Sequence, residues 1–165
     1  YLLPNQRGTM VTKSVEMLKG QGGKFAVILG KIVSVSPKIA GEPTQAIGSM
    51  GKIWIGFYGS AKKVAASISN LKNHTMAIAG CPEAGVAEAL TVIFGDDPEL
   101  MTESASEKAR AHPGFRGAGV LVDFETSQVK DKVDPTKSYD RVKLINRKAG
   151  NSPKEILARK AELGL

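Results

Sequence analysis

The segment that most constrains the fold is an apolar run rich in valine and isoleucine, from Lys24 to Val35. β-Branched residues favour strands, so this run predicts a buried strand. Gly30 interrupts it and predicts a bulge or a tight hairpin at that point. The run is much shorter than the roughly 20 apolar residues that cross a bilayer. We therefore expect a protein built on a sheet, without a membrane segment.

A second strand is predicted from Lys52 to Tyr58, where apolar side chains fall on both faces, as in a central strand. Helical spacing follows to about Asn73, then a short apolar strand from Thr75 to Ala79 and a helix from Pro82 to Phe94. This order is the sequence form of a βαβ unit over residues 52–94. Its two strands would run parallel, joined by a right-handed crossover.

Near the start of the chain, three apolar residues share one helical face. Val11, Val15 and Leu18 stand at positions i, i+4 and i+7. Thr9 can cap such a helix and Gly20 can end it. The spacing therefore predicts a helix from Thr9 to Lys19.

Further elements are predicted towards the end of the chain. Apolar residues from Gly117 to Phe124 predict a strand, and Arg141 to Ile145 predicts a short strand at a sheet edge. Residues 126–140 between them are predicted to form an exposed loop. Ser152-Pro153-Lys154-Glu155 combines a serine cap, a proline at the first helical position and a glutamate that completes a capping box. A C-terminal helix is therefore predicted to begin there.

Together these elements predict an α/β protein with a mixed sheet of about four to six strands, helices packed on it and one βαβ unit. A length of 165 residues suits a single domain. We expect an N-terminal arm over residues 1–8, one α/β domain over residues 9–150 and the C-terminal helix over residues 151–165.

The net charge of +7 is concentrated at the two ends of the chain. Residues 1–60 hold seven Lys or Arg against two acids, residues 61–127 six against nine, and residues 128–165 ten against five. Basic termini favour an anionic partner, either nucleic acid or a phosphorylated ligand. The alternative is that dispersed lysines only confer solubility. Aromatic residues make up 5% of the chain, which is few for a base-stacking surface.

The turn after the second predicted strand is a candidate anion-binding site. Gly59 and Ser60 would open a helix whose free N–H groups and dipole face an anion. Lys62 and Lys63 would strengthen that positive field. The alternative is structural, because a glycine turn and a serine cap are what any strand-to-helix junction needs.

Cys81 is the candidate catalytic residue, because a thiol between a strand and a helix can have a lowered pKa. An isolated cysteine is more often a small buried apolar residue. His112 and Arg116 flank a Pro-Gly turn that could form a ligand loop, or simply a turn. With two histidines and one cysteine, we expect no metal site, and no motif indicates a cofactor.

These features predict a non-catalytic binding or assembly protein that forms a homo-oligomer or joins a larger complex. One alternative is a small enzyme that acts on a phosphorylated or anionic ligand in a crevice near Gly59, Ser60 and Cys81. Another is a structural subunit of a viral particle. The single cysteine fits a reducing compartment, so we expect a cytoplasmic location, with the virion as the alternative.

Overall fold

A computed structural model of the protein describes residues 2–20, 23–79, 110–111, 117–147 and 149–165. It contains two helices, α1 (Ala61–Ala79) and α2 (Pro153–Glu162). The strands are β1 (Gln6–Gly20), β2 (Gly23–Pro37), β3 (Met50–Phe57), β4 (Arg110–Ala111), β5 (Leu121–Lys130) and β6 (Ser138–Asn146).

All strands belong to one sheet in the order β3-β2-β1-β5-β6, with the two-residue β4 paired to β1. Every pairing in the described part of the chain is antiparallel. Helix α1 follows β3 and contacts β3, β6 and β5. The predicted number of strands, four to six, and the packing of a helix on the sheet are thus confirmed. The protein is mostly sheet and its described helices are few.

The predicted βαβ unit over residues 52–94 is wrong in its second strand. Thr75 to Ala79 form the end of α1 instead. Leu71, Thr75 and Ile78 are all buried there, at helical spacing, so one face of the second half of the helix packs on the sheet. A segment of five residues is too short to distinguish a strand from a buried helical turn. The predicted helix from Pro82 to Phe94 lies outside the described residues.

The predicted helix from Thr9 to Lys19 is also wrong, because these residues form most of strand β1. The register against β2 shifts between Thr12 and Ser14 and leaves Lys13 as an extra residue. Side chains at even positions face the core before this bulge, and Val15 faces it afterwards. A strand that changes face in this way loses its two-residue period and imitates helical spacing.

The bulge lies opposite Gly30, which pairs with Thr12, whereas the sequence predicted an irregularity in β2 at Gly30 itself. A side chain at position 30 would meet Met10, with Sδ at 2.6 Å and Cγ at 3.0 Å from the added Cβ. Met10 is fully buried and occupies this space. Gly30 therefore lets a long core side chain from β1 lie against β2.

The core lies between α1 and one face of the sheet. Leu71 and Ile78 of α1 meet a layer of apolar side chains from five strands. The largest members of this layer are Met10, Ile28, Ile32, Ile53, Ile55, Val122, Phe124 and Leu144. Leu2 joins the same cluster, so residues before β1 contribute to the core.

The C-terminal helix α2 begins as the sequence predicts. The Ser152 hydroxyl accepts a hydrogen bond from the Glu155 N–H at 3.3 Å, with Pro153 in the first turn. Arg159 links the helix to the turn before β5 by a hydrogen bond, in which its Nε donates to the Gly119 carbonyl at 2.7 Å. None of the residues of α2 is fully buried.

Candidate binding surface and cleft

Three aromatic side chains form a cluster on the outer face of β2 and β3, which we call the aromatic patch: Phe25, Trp54 and Tyr58. The Phe25 ring centroid lies 6.1 Å from that of Trp54 and 5.3 Å from that of Tyr58, both in edge-to-face geometry. Ile53 and Ile55 point into the core, so the intervening Trp54 faces outward. Trp54 is 36% exposed and Tyr58 is 49% exposed.

Gly56 makes this arrangement possible. It lies between Trp54 and Tyr58 on the same face of the chain, and an added Cβ there would lie 2.9 Å and 3.0 Å from the Cδ1 and Cζ atoms of Tyr58. Without a side chain at position 56, the Tyr58 ring can lie over the backbone beside Phe25. The low aromatic content of the sequence does not predict this clustering. The available signal was the spacing of Trp54, Gly56 and Tyr58 at every second position of a strand.

The predicted anion-binding turn lies next to this patch in sequence, at the start of α1. Gly59 has a positive φ of 95°, and the Ser60 hydroxyl accepts a hydrogen bond from the Lys63 N–H at 3.3 Å. Ser60 therefore caps the helix. Lys62 and Lys63 are both exposed. Binding of an anion at Gly59, Ser60, Lys62 and Lys63 stays a prediction.

The connection between β5 and β6 approaches the same end of α1. Hydrogen bonds from the N–H groups of Val133 and Asp134, with a smaller effect of the Lys63 charge, lower the pKa of Asp131. The Val133 N–H donates to Asp131 Oδ1 at 2.8 Å and orders the loop. We call residues 130–137 the lysine loop, after its exposed lysines Lys130, Lys132 and Lys137.

A cleft of about 710 Å³ lies between the two edge strands of the sheet, β3 and β6, and we call it the edge cleft. Helix α1 contributes one polar wall. Strand β6 contributes two cations, Arg141 and Lys143, both exposed. The residues that line the cleft are Ile53, Trp54, Ile55, Gly56, Ser67, Asn70, Asn73, His74, Tyr139, Asp140, Arg141, Val142, Lys143 and Leu144.

His74 is the most buried polar side chain of the edge cleft, at 9% exposure. Burial lowers its pKa to about 4, so the imidazole is neutral at pH 7. Among the residues that the structure describes, none forms a hydrogen bond with it, and no fully enclosed side-chain nitrogen lacks a partner. The ring nitrogens of His74 therefore keep contact with the open space of the cleft.

We expect the burial of His74 to make the protein sensitive to acid. An exposed histidine has a pKa near 6.5, so between pH 6.5 and 4 the unfolded chain binds a proton that the folded protein does not. The free energy of unfolding is therefore not reduced by His74 above pH 6.5, and it falls by about 3 kcal/mol as the pH drops to 4. Urea unfolding across this range measures the loss. The variant His74→Leu should flatten the profile, whereas His112→Gln, which changes the other histidine, should not.

A second groove of about 430 Å³ crosses the outer face of β1, β2 and β5, and both of its acidic side chains already have partners. Thr9 Oγ1 donates to Asp123 Oδ1 at 2.7 Å, and Lys38 Nζ lies 2.7 Å from Glu125 Oε1. The Lys38 hydrogen bond and charge lower the pKa of Glu125. This groove offers fewer open polar groups than the edge cleft.

The remaining candidates lie outside the described residues: Cys81, His112 and Arg116. The crevice that would join Cys81 to Gly59 required parallel strands, and residues 75–79 are helical. In the described ranges, no three His, Cys, Asp or Glu side chains come together as a metal site would need. Likewise, no helix among the described residues is long and apolar enough to span a membrane.

Comparison with known proteins finds no matching family model, no similar curated protein and no similar solved structure. Any function must therefore be argued from the arrangement of the side chains themselves.

Proposed function

We propose that this protein is a non-catalytic binding protein whose anionic partner is single-stranded nucleic acid. The observation that carries the proposal is the aromatic patch, where Trp54 and Tyr58 present partly exposed rings on a sheet. Bases of a single strand stack on such rings regardless of sequence. In a duplex the bases are already stacked on one another, so the patch favours a single strand.

Positive charge surrounds the aromatic patch and supports binding of a phosphate backbone. Lys52 lies on the same outer face of β3 as Trp54. On the neighbouring strand β2, Lys31 pairs with Met50, two residues before Lys52. Both are exposed, as are Lys62 and Lys63 beyond Tyr58. Exposed lysines that line the path of a strand bind it by releasing its counterions.

The topology gives independent support. Within the sheet the five long strands lie in the order β3-β2-β1-β5-β6. Along the chain, α1 lies between the third and the fourth long strands, β3 and β5. This order resembles the OB-fold, a partly open barrel that binds oligonucleotides on the face of its second and third strands and on the loop between its last two. The aromatic patch and the lysine loop occupy those two places. Because one fold hosts many functions, the side chains of the aromatic patch and the lysine loop carry more weight than the topology.

The proposal is tested by titrating labelled poly-dT oligonucleotides of about 16 nucleotides, the upper site size of one OB-fold, with the protein at several salt concentrations. The logarithm of the association constant should fall linearly with the logarithm of salt, by about 0.7 for each phosphate contact. The variant Lys130→Glu/Lys132→Glu should reduce this slope by at least about 1.4 and weaken binding at low salt about tenfold.

The control variant is Lys72→Glu/Lys154→Glu, which makes the same change of net charge at exposed positions outside the aromatic patch and the edge cleft. It should change the slope much less. Equal effects of the two variants would show a response to net charge alone. No binding of the oligonucleotide at about 50 mM salt, where phosphate contacts are strongest, would refute the proposal.

The other sequence-based hypotheses stay predictions. They are self-association, a structural role in a viral particle, and catalysis that involves Cys81. The last has lost its supporting geometry, since the strand predicted at Thr75 to Ala79 is part of α1.

A further inference from the structure

We propose that the edge cleft receives one unstacked base of the bound strand and selects adenine. The inference rests on the proposed function, because it concerns the same strand. It adds a selective site to a surface that otherwise binds without regard to sequence.

Continuity with the aromatic patch brings the strand to the cleft. Trp54 belongs to both, because its ring contacts Phe25 on the outer face while the residue also lines the cleft at the edge of β3. A strand stacked on the patch therefore passes the mouth of the cleft. The volume of about 710 Å³ lies within the range of small-molecule sites and accommodates a nucleotide.

The wall formed by α1 is polar but uncharged. Ser67, Asn70 and His74 stand at positions i, i+3 and i+7, so they share the face of the helix that lines the cleft. A hydroxyl, a carboxamide and a neutral imidazole each offer both a donor and an acceptor. The buried His74 has no partner among the described residues, so its hydrogen-bonding capacity is available to a ligand.

The cations stand on the opposite side, on the exposed edge strand β6. Arg141 and Lys143 are both solvent-exposed, whereas His74 lies deep in the cleft. A phosphate is attracted to the cations, and an uncharged base suits the neutral groups on α1. This division orients a nucleotide with its base toward α1 and its phosphate toward β6.

Asparagine indicates which base is favoured. Its carboxamide pairs with adenine through two hydrogen bonds: its oxygen accepts one from the N6 amino group, and its NH₂ donates one to N7. Asn70 and Asn73 both line the cleft and both are exposed, so their carboxamides are accessible. Of the two, Asn70 lies on the same face of α1 as Ser67 and His74.

The test compares three oligonucleotides that differ at one central position: all-dT, dT with a single dA, and dT with a single abasic site. The single-dA oligonucleotide should bind at least about tenfold more tightly than either of the others, as expected for one bidentate base contact. Asn70→Ala should abolish this preference, so that the variant binds the single-dA and all-dT oligonucleotides with equal affinity. Ser69→Ala, an exposed position on α1 that does not line the cleft, should keep it.

The outcomes separate the two proposals. If all-dT binds but the single dA gives no gain, the adenine site is refuted and the nucleic-acid proposal stands. The same holds if the gain persists in Asn70→Ala. If all-dT does not bind at low salt, both proposals are refuted. Because Asn70 is exposed, its replacement is expected to leave the fold intact, which urea unfolding of the variant verifies.

Discussion

Replacing Trp54 and Tyr58 together with alanine is expected to weaken the binding of single-stranded DNA by about 2 to 6 kcal/mol, at least thirtyfold. Each ring of the aromatic patch offers a stacking surface for one base, and stacking contributes about 1 to 3 kcal/mol per base. Because both rings also pack against Phe25, urea unfolding of the double variant verifies that it is folded under the conditions of the titration. Fluorescence anisotropy of a labelled poly-dT oligonucleotide measures the loss.

The matched control removes two exposed apolar side chains elsewhere, Ile39→Ala and Leu157→Ala. It should leave affinity unchanged. The wild-type protein offers a second readout, since Trp54 is the only tryptophan of the chain and its emission should be quenched by a stacked base. If the double variant binds as tightly as the wild type, with the same salt dependence, then only charge holds the strand and the aromatic patch has no part in it.

The second large effect concerns stability. Gly8→Val is expected to lower the free energy of unfolding by about 4 kcal/mol, because β1 has no room for a side chain at this position. An added Cβ would collide with the Ser34 carbonyl oxygen and lie 2.9 Å from Cζ of Phe124. Gly8 pairs with β2 on one side and β5 on the other, so neither strand can move without breaking the sheet.

Urea unfolding measures this change, with Gly41→Ala as the comparison. Gly41 also has a backbone conformation that favours glycine, with a positive φ of 86°. An added Cβ there would meet nothing within 4 Å, however, so no crowding is expected. The expected cost there is only the backbone strain of about 1 to 2 kcal/mol. Similar losses in the two variants would show that crowding between the strands is not what fixes glycine at position 8.

Apolar runs and a capping motif in the sequence correctly predicted two strands and the start of one helix. The run from Lys24 to Val35 is β2, the segment from Lys52 to Tyr58 is β3, and the capping box at Ser152 starts α2. The prediction failed where tertiary contacts decide. The bulge at Lys13 destroys the alternation of β1, and packing of α1 on the sheet extends the helix through Thr75 to Ala79.

The candidate site was predictable to a smaller extent. The sequence indicated the turn at Gly59 and Ser60, whose cap depends on neighbouring residues. The edge cleft could not be found in the same way, because one of its walls, β6, is far along the chain from the other two, β3 and α1. Nor does an overall aromatic content reveal that Phe25 lies against Trp54, a contact that the register of β2 and β3 creates.

The position of β1 in the middle of the sheet has a consequence for how the protein is made. The Thr12 N–H donates to the Val120 carbonyl at 2.9 Å, and the Thr12 side chain bonds to the same residue across 108 positions of sequence. Pairings of such long range form slowly. On the ribosome, one edge of β1 must therefore wait for β5 to be synthesised. During that interval the nascent chain exposes an unpaired strand edge, the kind of surface on which aggregation begins.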